Sequence, residues 1–169
     1  FCGKTRLMRQ ILAIVGRPNV GKSTFFNRLT RSRDALVDDY PGVTRDRNYG
    51  DASWNDRELT VVDTGGFIAG DEFSEEIRGQ IDLALNDADV IVLLLDGRRG
   101  LSPFDREIAD LLRRSAKPTY FVVNKIDGLE LEVNLPEFYQ LGVQTLYPVS
   151  AAHGYDVASF MDDLVAGMS

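Results

Sequence analysis

The chain has 169 residues, of which 44% are hydrophobic and 27% are charged, a balance typical of one globular domain with its own core. No apolar run approaches the roughly 20 residues of a membrane span, and we expect no secretory segment, so a cytoplasmic location is predicted. The net charge of −7 argues against broad nucleic-acid binding by this domain alone, and the single cysteine, Cys2, excludes an internal disulfide or a multi-thiolate zinc site.

Strands and helices alternate along the chain. Short apolar runs predict strands, and apolar residues at three- and four-residue spacing predict helices. In chain order we predict a strand at Gln10–Val15, a helix at Lys22–Thr30, hairpin strands at Asn48–Trp54 and Glu58–Asp63, a helix at Glu75–Asn86, a strand at Asp89–Asp96, a helix from Pro103 to Arg114 with Ser102 as N-cap, a strand at Thr119–Asn124, a short helix at Pro136–Leu141, a strand at Val143–Val149 and a helix at Val157–Ala166. This predicts an α/β fold with about six strands in a mostly parallel sheet, one antiparallel hairpin strand and helices on both faces.

The remaining segments read as loops and a terminal arm. Residues 1–7 show no clear pattern and are interpreted as a non-native remnant or an N-terminal arm, ahead of a single predicted domain over 8–169. Segment 31–47 lacks sustained periodicity and is predicted to be a mobile loop. In an open sheet of this kind, ligands gather at the carboxyl ends of the strands.

One such loop matches the phosphate-binding pattern G-x-x-x-x-G-K-[ST] and lies between a predicted strand and helix. Its residues are Gly16, Arg17, Pro18, Asn19, Val20, Gly21, Lys22 and Ser23, with Thr24 next to them. The loop N–H groups and the helix N-terminus would face phosphates, Lys22 would neutralise β/γ charge, and the Ser23 hydroxyl would bind magnesium. The motif therefore makes the predicted α/β fold that of a P-loop NTPase G domain. The motif alone does not distinguish GTP from ATP.

A second motif predicts the base. Asn124, Lys125, Ile126 and Asp127 form N-K-x-D at the end of a buried strand. A carboxylate accepts two hydrogen bonds, and guanine, unlike adenine, offers two adjacent donors. Asn124 would tie the base loop to the phosphate loop. The stem of Lys125 would lie along the purine, and the loop Ser150, Ala151 and Ala152 would present N–H groups to the guanine carbonyl.

Two further segments predict the γ-phosphate and magnesium contacts. Asp63, Thr64, Gly65 and Gly66 end the hairpin, where Asp63 would hold magnesium through water and the Gly66 N–H would sense the γ-phosphate. Thr44, in the predicted mobile loop, is the candidate for a second magnesium hydroxyl. The catalytic candidates are therefore Lys22, Thr44, Gly66 and, for the reason given below, Asn19.

Taken together, the motifs GRPNVGKST, DYPGVTRD, DTGGF, NKID and SAAHG resemble, in this order, those of the Era-like GTPases over nearly all of the chain. The likeness is strongest to the first G domain of family members that carry two. The resemblance implies a GTP/GDP-binding switch in large ribosomal subunit assembly, with a second G domain and a KH-like domain in the intact protein. It also implies that this chain is a fragment.

The resemblance also bears on the hydrolysis step. Phe67 follows Gly66 at the position where Ras-type enzymes carry the glutamine that orients the attacking water, and a phenyl ring makes no such hydrogen bond. Related GTPases that lack the glutamine often use potassium, held by an asparagine at the position of Asn19. We therefore predict slow intrinsic turnover with stimulation by potassium. Arg45 and Arg47 are interpreted as surface-paired rather than as catalytic fingers.

Two other functions stay open at this point. A P-loop ATPase would show no guanine preference, and a regulatory module would bind nucleotide with negligible hydrolysis, which Phe67 makes a real alternative. His153 is not assigned as a general base, because it follows the base-side loop and phosphoryl transfer depends more on positioning. Arg28, Arg31 and Arg33 are interpreted as solvated charges at a helix end.

Overall fold

The computed structural model describes residues 9–30, 48–64 and 73–168, with Asn48 described through its backbone alone. The elements are β1 (Gln10–Val15), α1 (Lys22–Thr30), β2 (Asn48–Trp54), β3 (Arg57–Asp63), α2 (Glu75–Asp87), β4 (Val90–Asp96), α3 (Pro103–Ser115), β5 (Thr119–Asn124), a 3-10 segment (Leu129–Leu141), β6 (Leu146–Pro148) and α4 (Val157–Ala166). No helix in these ranges is both long and apolar enough to span a bilayer.

The strands form one six-stranded sheet in the order β2-β3-β1-β4-β5-β6. All neighbouring pairs are parallel except β2 and β3, which pair antiparallel from Asn48 opposite Asp63 to Trp54 opposite Arg57. The hairpin turns at Asn55 and Asp56, whose φ angles of 50° and 64° suit the tight turns that join twisted strands. The predicted fold class is confirmed.

Alternating side chains of β1 pack on opposite faces of the sheet and divide the core in two. Leu12 and Ile14 lie in a cluster with Phe25 of α1 and Phe160 of α4. Ala13 and Val15 lie in a second cluster, on the side of α2 and α3. All seven residues of β4 are buried, as expected of a central parallel strand covered on both faces. The sheet is therefore held rigidly between two helical layers.

The start of α3 follows the predicted cap. The Ser102 side chain accepts a hydrogen bond from the backbone of Asp105, and the Asp105 carboxylate accepts from the Ser102 N–H, a reciprocal capping box. Pro103 occupies the first turn, where its missing N–H is not needed. This cap fixes the loop between β4 and α3, which borders the candidate site.

Two predicted elements differ from the structure. The short helix predicted at Pro136–Leu141 is the end of a longer 3-10 segment, Leu129–Leu141, with Pro136 inside it. Proline removes an N–H and disfavours regular α-helix, so the segment stays in short turns. The strand predicted at Val143–Val149 is limited to Leu146–Pro148, because Gly142 turns the chain with φ 80° and pairing with β5 is confined to Phe121–Val123.

Candidate functional site

The predicted site residues within the described ranges gather at one edge of the sheet. Val15, Asp63, Asp96 and Asn124 end β1, β3, β4 and β5, and the last three of these side chains are buried. Because parallel strands present their carboxyl ends at the same edge, the loops that follow meet there. The predicted Thr44, Gly65, Gly66 and Phe67 lie outside the described residues, as does loop 31–47.

The loop after β1 wraps closely on the sheet and on the base loop. Asn19 and Gly21 have φ angles of 68° and 100°, so the chain passes through left-handed conformations there. A Cβ at Gly16 would lie 2.6 Å from the Leu94 carbonyl oxygen, and one at Gly21 would lie 2.4 Å from Asn124 Nδ2. Both positions therefore require glycine, for close approach and, at Gly21, for backbone freedom as well.

Lys22 lies across this loop with its ammonium group buried. Lys22 Nζ donates to the carbonyl oxygens of Gly16 and Arg17, each at 2.8 Å. Burial lowers the pKa of Lys22 to about 8, with Asp63 raising it and Arg17 lowering it to smaller extents. A buried cation whose charged form is disfavoured would be stabilised by an anion, so the loop fits a phosphate group.

Beside it, Ser23 and Asp63 form the candidate magnesium ligands. Ser23 Oγ donates to Asp63 Oδ2 at 3.2 Å, and Asp63 is only 2% exposed. Hydroxyl and carboxylate oxygens are the hard ligands that magnesium prefers, so the donor set fits the ion. Thr64 instead directs its hydroxyl to the Ile14 carbonyl oxygen at 2.8 Å, which anchors the end of β3 on β1.

Asn124 joins the phosphate loop to the base loop, as the motif predicts. Its Nδ2 donates to the Val20 carbonyl oxygen at 2.8 Å, and its Oδ1 accepts from the Ala151 N–H at 2.9 Å. The side chain is 3% exposed. Three loops from different parts of the chain therefore share one buried amide, and their relative positions are fixed.

A cavity of about 330 Å³ opens between these loops. It is lined by Gly21, Thr24, Arg98, Asn124, Lys125, Asp127, Ser150, Ala152 and His153. Seven of these are predicted nucleotide-binding residues, all of them except Arg98 and His153. The side chains of Val20 and Ile126, also predicted to bind nucleotide, are instead fully buried in the two core clusters. The Ala151 N–H, predicted to reach a guanine carbonyl, is engaged by Asn124.

Lys125 lines the cavity and contacts two other loops. Lys125 Nζ donates to the Asn19 carbonyl oxygen at 2.8 Å and to Asp96 Oδ2 at 2.9 Å, and its own backbone has φ 69°. Hydrogen bonds from Lys125, Arg99 and Arg98 lower the pKa of Asp96 below its usual value, overcoming the opposite effect of burial. Asp96 therefore stays ionised and holds the Lys125 ammonium group beside the cavity.

Asp127 lines the cavity and lies beside the side chains of Arg98 and His153. Its pKa is lowered, first by a hydrogen bond from the Ser150 side chain and further by Arg98, although desolvation opposes this. Arg98 Nη2 lies 2.6 Å from Asp127 Oδ2, and His153 Nε2 lies 3.9 Å from Asp127 Oδ1. His153 is thus on the base side of the site, where the sequence argument put it.

Two predicted residues have contacts that the sequence reasoning did not foresee. Arg17 does not line the cavity. Its Nε lies 3.4 Å from the buried Asp105 carboxylate, so its side chain contacts the start of α3. Arg28 is not simply solvated: its Nε and Nη2 donate to the carbonyl oxygens of Ala151 and Ala152 at 2.9 and 3.0 Å. The guanidinium therefore ties α1 to the loop that contains Ala151 and Ala152, which corrects our interpretation of Arg28 as a solvated charge.

Asp96 and Arg98 were missed altogether. Asp96 could have been found by the rule that selected Asp63, since both are acidic residues at the carboxyl end of a buried strand. Arg98 carries no such signal, because an arginine in a loop is usually solvated and its partner is 29 residues away in the chain.

The chain matches the sequence pattern of the family described as 50S ribosome-binding GTPase over residues 11–125. Among its relatives, GTPase Der of Desulforapulum autotrophicum is 59% identical over 161 residues, which cover 94% of this chain and 33% of that protein. GTPase Der of Syntrophobacter fumaroxidans is 54% identical over 160 residues, covering 94% and 36%. The chain therefore spans about a third of the length of these relatives.

A solved structure has the same fold. Era of Aquifex aeolicus, in a variant bound to GDP and aluminium fluoride, superposes with a TM-score of 0.75 at 28% identity, covering 96% of this chain and 57% of that one. The match extends over nearly the whole of the present sheet and its helices.

Proposed function

Because the chain belongs to the family of 50S ribosome-binding GTPases, we propose that it binds GTP and hydrolyses it to GDP and phosphate as a magnesium-dependent molecular switch. We further propose that residues 8–169 form a single G domain of a longer protein, and that residues 1–7 are not part of it. The two GTPase Der relatives are about three times as long as this chain, which supports the proposal of further domains.

The observation that carries guanine binding is the position of Asp127. Its carboxylate faces the same cavity as Gly21 and Thr24 of the phosphate loop. One nucleotide could thus place its base at Asp127 and its phosphates at Lys22. Guanine offers this carboxylate two adjacent donors, whereas adenine offers it no such pair, which is the reason to prefer GTP over ATP.

The residues of the phosphate side have separate roles in this proposal. Lys22 neutralises β/γ-phosphate charge, and Ser23 and Asp63 hold magnesium, directly and through water. Bound magnesium would neutralise charge that develops on the phosphate oxygens. Thr44 and the Gly66 N–H, outside the described residues, stay predicted as the contacts that respond to the γ-phosphate.

Slow turnover and stimulation by potassium are the finer part of the proposal. The Asn19 side chain is exposed at the outer bend of the phosphate loop, and its carbonyl oxygen is held by Lys125 at 2.8 Å. A fixed backbone with an exposed side-chain amide would suit a weakly held monovalent cation near the phosphates, which would take the electrostatic role of an arginine finger. Phe67 offers no substitute for a water-orienting glutamine.

A role in large ribosomal subunit assembly is proposed from the family alone. In the intact protein we expect a second G domain, a KH-like domain and the large ribosomal subunit as partners, and a cytoplasmic location. The net charge of −7 gives this domain no broad electrostatic affinity for RNA, so we propose that any ribosome contact is made by the further domains proposed above.

The experiment has two arms. Competition of unlabelled GTP and ATP against a fluorescent GDP derivative should show displacement by GTP alone, and equal displacement would favour a P-loop ATPase. Single-turnover phosphate release is then measured with magnesium in potassium and in sodium chloride, for the wild type and Asn19→Ala. Faster release in potassium, lost in the variant, is expected. Equal rates in both salts would remove the potassium proposal, and no release over hours would favour a regulatory module.

A further inference from the structure

Arg98 is fixed at its backbone and extended toward the base cavity. It follows β4 in a tight turn in which Asp96 Oδ1 accepts the N–H groups of Arg98 and Arg99 at 2.9 and 3.0 Å. This turn is rigid because Asp96 is itself buried and held by Lys125. The Arg98 side chain therefore starts from a defined point beside the cavity and can move only by rotation about its own bonds.

The guanidinium of Arg98 lies on the carboxylate that is proposed to read the base. Its Nη2 is 2.6 Å from Asp127 Oδ2, within the range of a strong charge-assisted hydrogen bond. Arg98 also lines the same cavity of about 330 Å³ as Asp127. The side chain is 59% exposed, so its outer part can swing into solvent without unpacking the core.

The chemistry of the two partners makes this position significant. A guanidinium presents two parallel N–H donors from one planar edge to a carboxylate. The ring N–H and the exocyclic amine of guanine present two donors of the same kind on a planar edge. Arg98 therefore offers Asp127 a donor of the same class as the base that Asp127 is proposed to select.

We propose that Arg98 competes with guanine for Asp127, so that nucleotide binding exchanges an internal guanidinium–carboxylate pair for the guanine–carboxylate pair. The proposal rests on the function proposed above, since it assumes that Asp127 contacts the base. The exchange lowers the affinity for guanine nucleotides and speeds their release, because Arg98 can take the carboxylate back as the base leaves.

The test compares three variants by stopped-flow kinetics with a fluorescent GDP derivative. Arg98→Ala removes the competitor and is expected to slow dissociation and tighten binding by about fivefold, in line with one partly exposed ion pair. Arg98→Lys keeps the charge without the two-donor edge, so a smaller effect in the same direction is expected. Arg99→Ala is the matched control, because it removes an equal charge from the adjacent position and should change binding less than about twofold.

The outcomes separate this inference from the proposed function. A wild-type chain that binds no GDP derivative would refute the proposed function itself. If the wild type binds and Arg98→Ala binds more weakly, Arg98 instead steadies Asp127 in the complex and the competition is overturned. An unchanged dissociation rate in Arg98→Ala, or equal tightening in Arg99→Ala, would overturn it as well, since the effect would then not come from the carboxylate.

Discussion

Replacing Asn124 with alanine should destabilise the chain more than any other single change to a loop contact described above. The change removes the hydrogen bond to the Val20 carbonyl oxygen at 2.8 Å and the one from the Ala151 N–H at 2.9 Å. Both partners are buried, and leaving a buried donor or acceptor without its hydrogen bond costs about 1–2 kcal/mol. We therefore expect the free energy of unfolding to fall by about 3 kcal/mol, and Tm by about 6–12 °C.

The assay is urea unfolding of the chain without nucleotide, because bound ligand would add its own stabilisation. Asn134→Ala is the matched control: Asn134 Nδ2 donates to the Gly97 carbonyl oxygen at 3.1 Å in a partly buried position, and its loss should cost about 1 kcal/mol or less. If Asn124→Ala proves no more destabilising than the control, Asn124 does not hold the loops together and the argument for a preformed site is wrong.

Two further predictions follow from buried or bridging cations. Arg28→Ala should weaken GDP binding by about fivefold in calorimetry, because the loop with Ala151 and Ala152 loses the hydrogen bonds at 2.9 and 3.0 Å that fix it to α1. An unchanged affinity would show that this loop is held in place without them. The pKa of Lys22, lowered from 10.5 to about 8, means that the unfolded chain binds more protons than the folded chain between those values, so stability should rise with pH across that window. Unfolding free energies at about pH 7 and about pH 10 should differ by up to about 3 kcal/mol in the wild type and much less in Lys22→Met, and equal slopes in both would contradict the assignment.

The fold was predictable because its signals are strong and local. The fully buried β4 reads as a continuous apolar run, and the Ser102 and Pro103 cap marks the start of α3 within a few residues. The 3-10 segment and the short β6 were not predictable in this way. Their form depends on tertiary pairing and on Pro136, and apolar content alone does not distinguish a short edge strand from an extended loop.

The candidate site was likewise predictable only where its signals are local. Motif residues such as Asn124 and Asp127 could be found because their spacing is fixed by chemistry and they follow buried strands. The contacts of Arg28 and Arg98 depend on loops that are distant in the chain, 123 and 29 residues away, and no local pattern encodes such a meeting. Arginine is common on surfaces, so composition gives no reason to expect either side chain at the base loop.

Selection of guanine by the Asp127 carboxylate is tested most directly by Asp127→Asn. An amide in place of the carboxylate offers a donor to the 2-oxo group of xanthine and loses an acceptor for the 2-amino group of guanine. Competition titrations with GDP and xanthosine diphosphate should show the wild type preferring GDP and the variant preferring the xanthosine nucleotide. An unaltered preference for GDP in a folded variant would contradict the account.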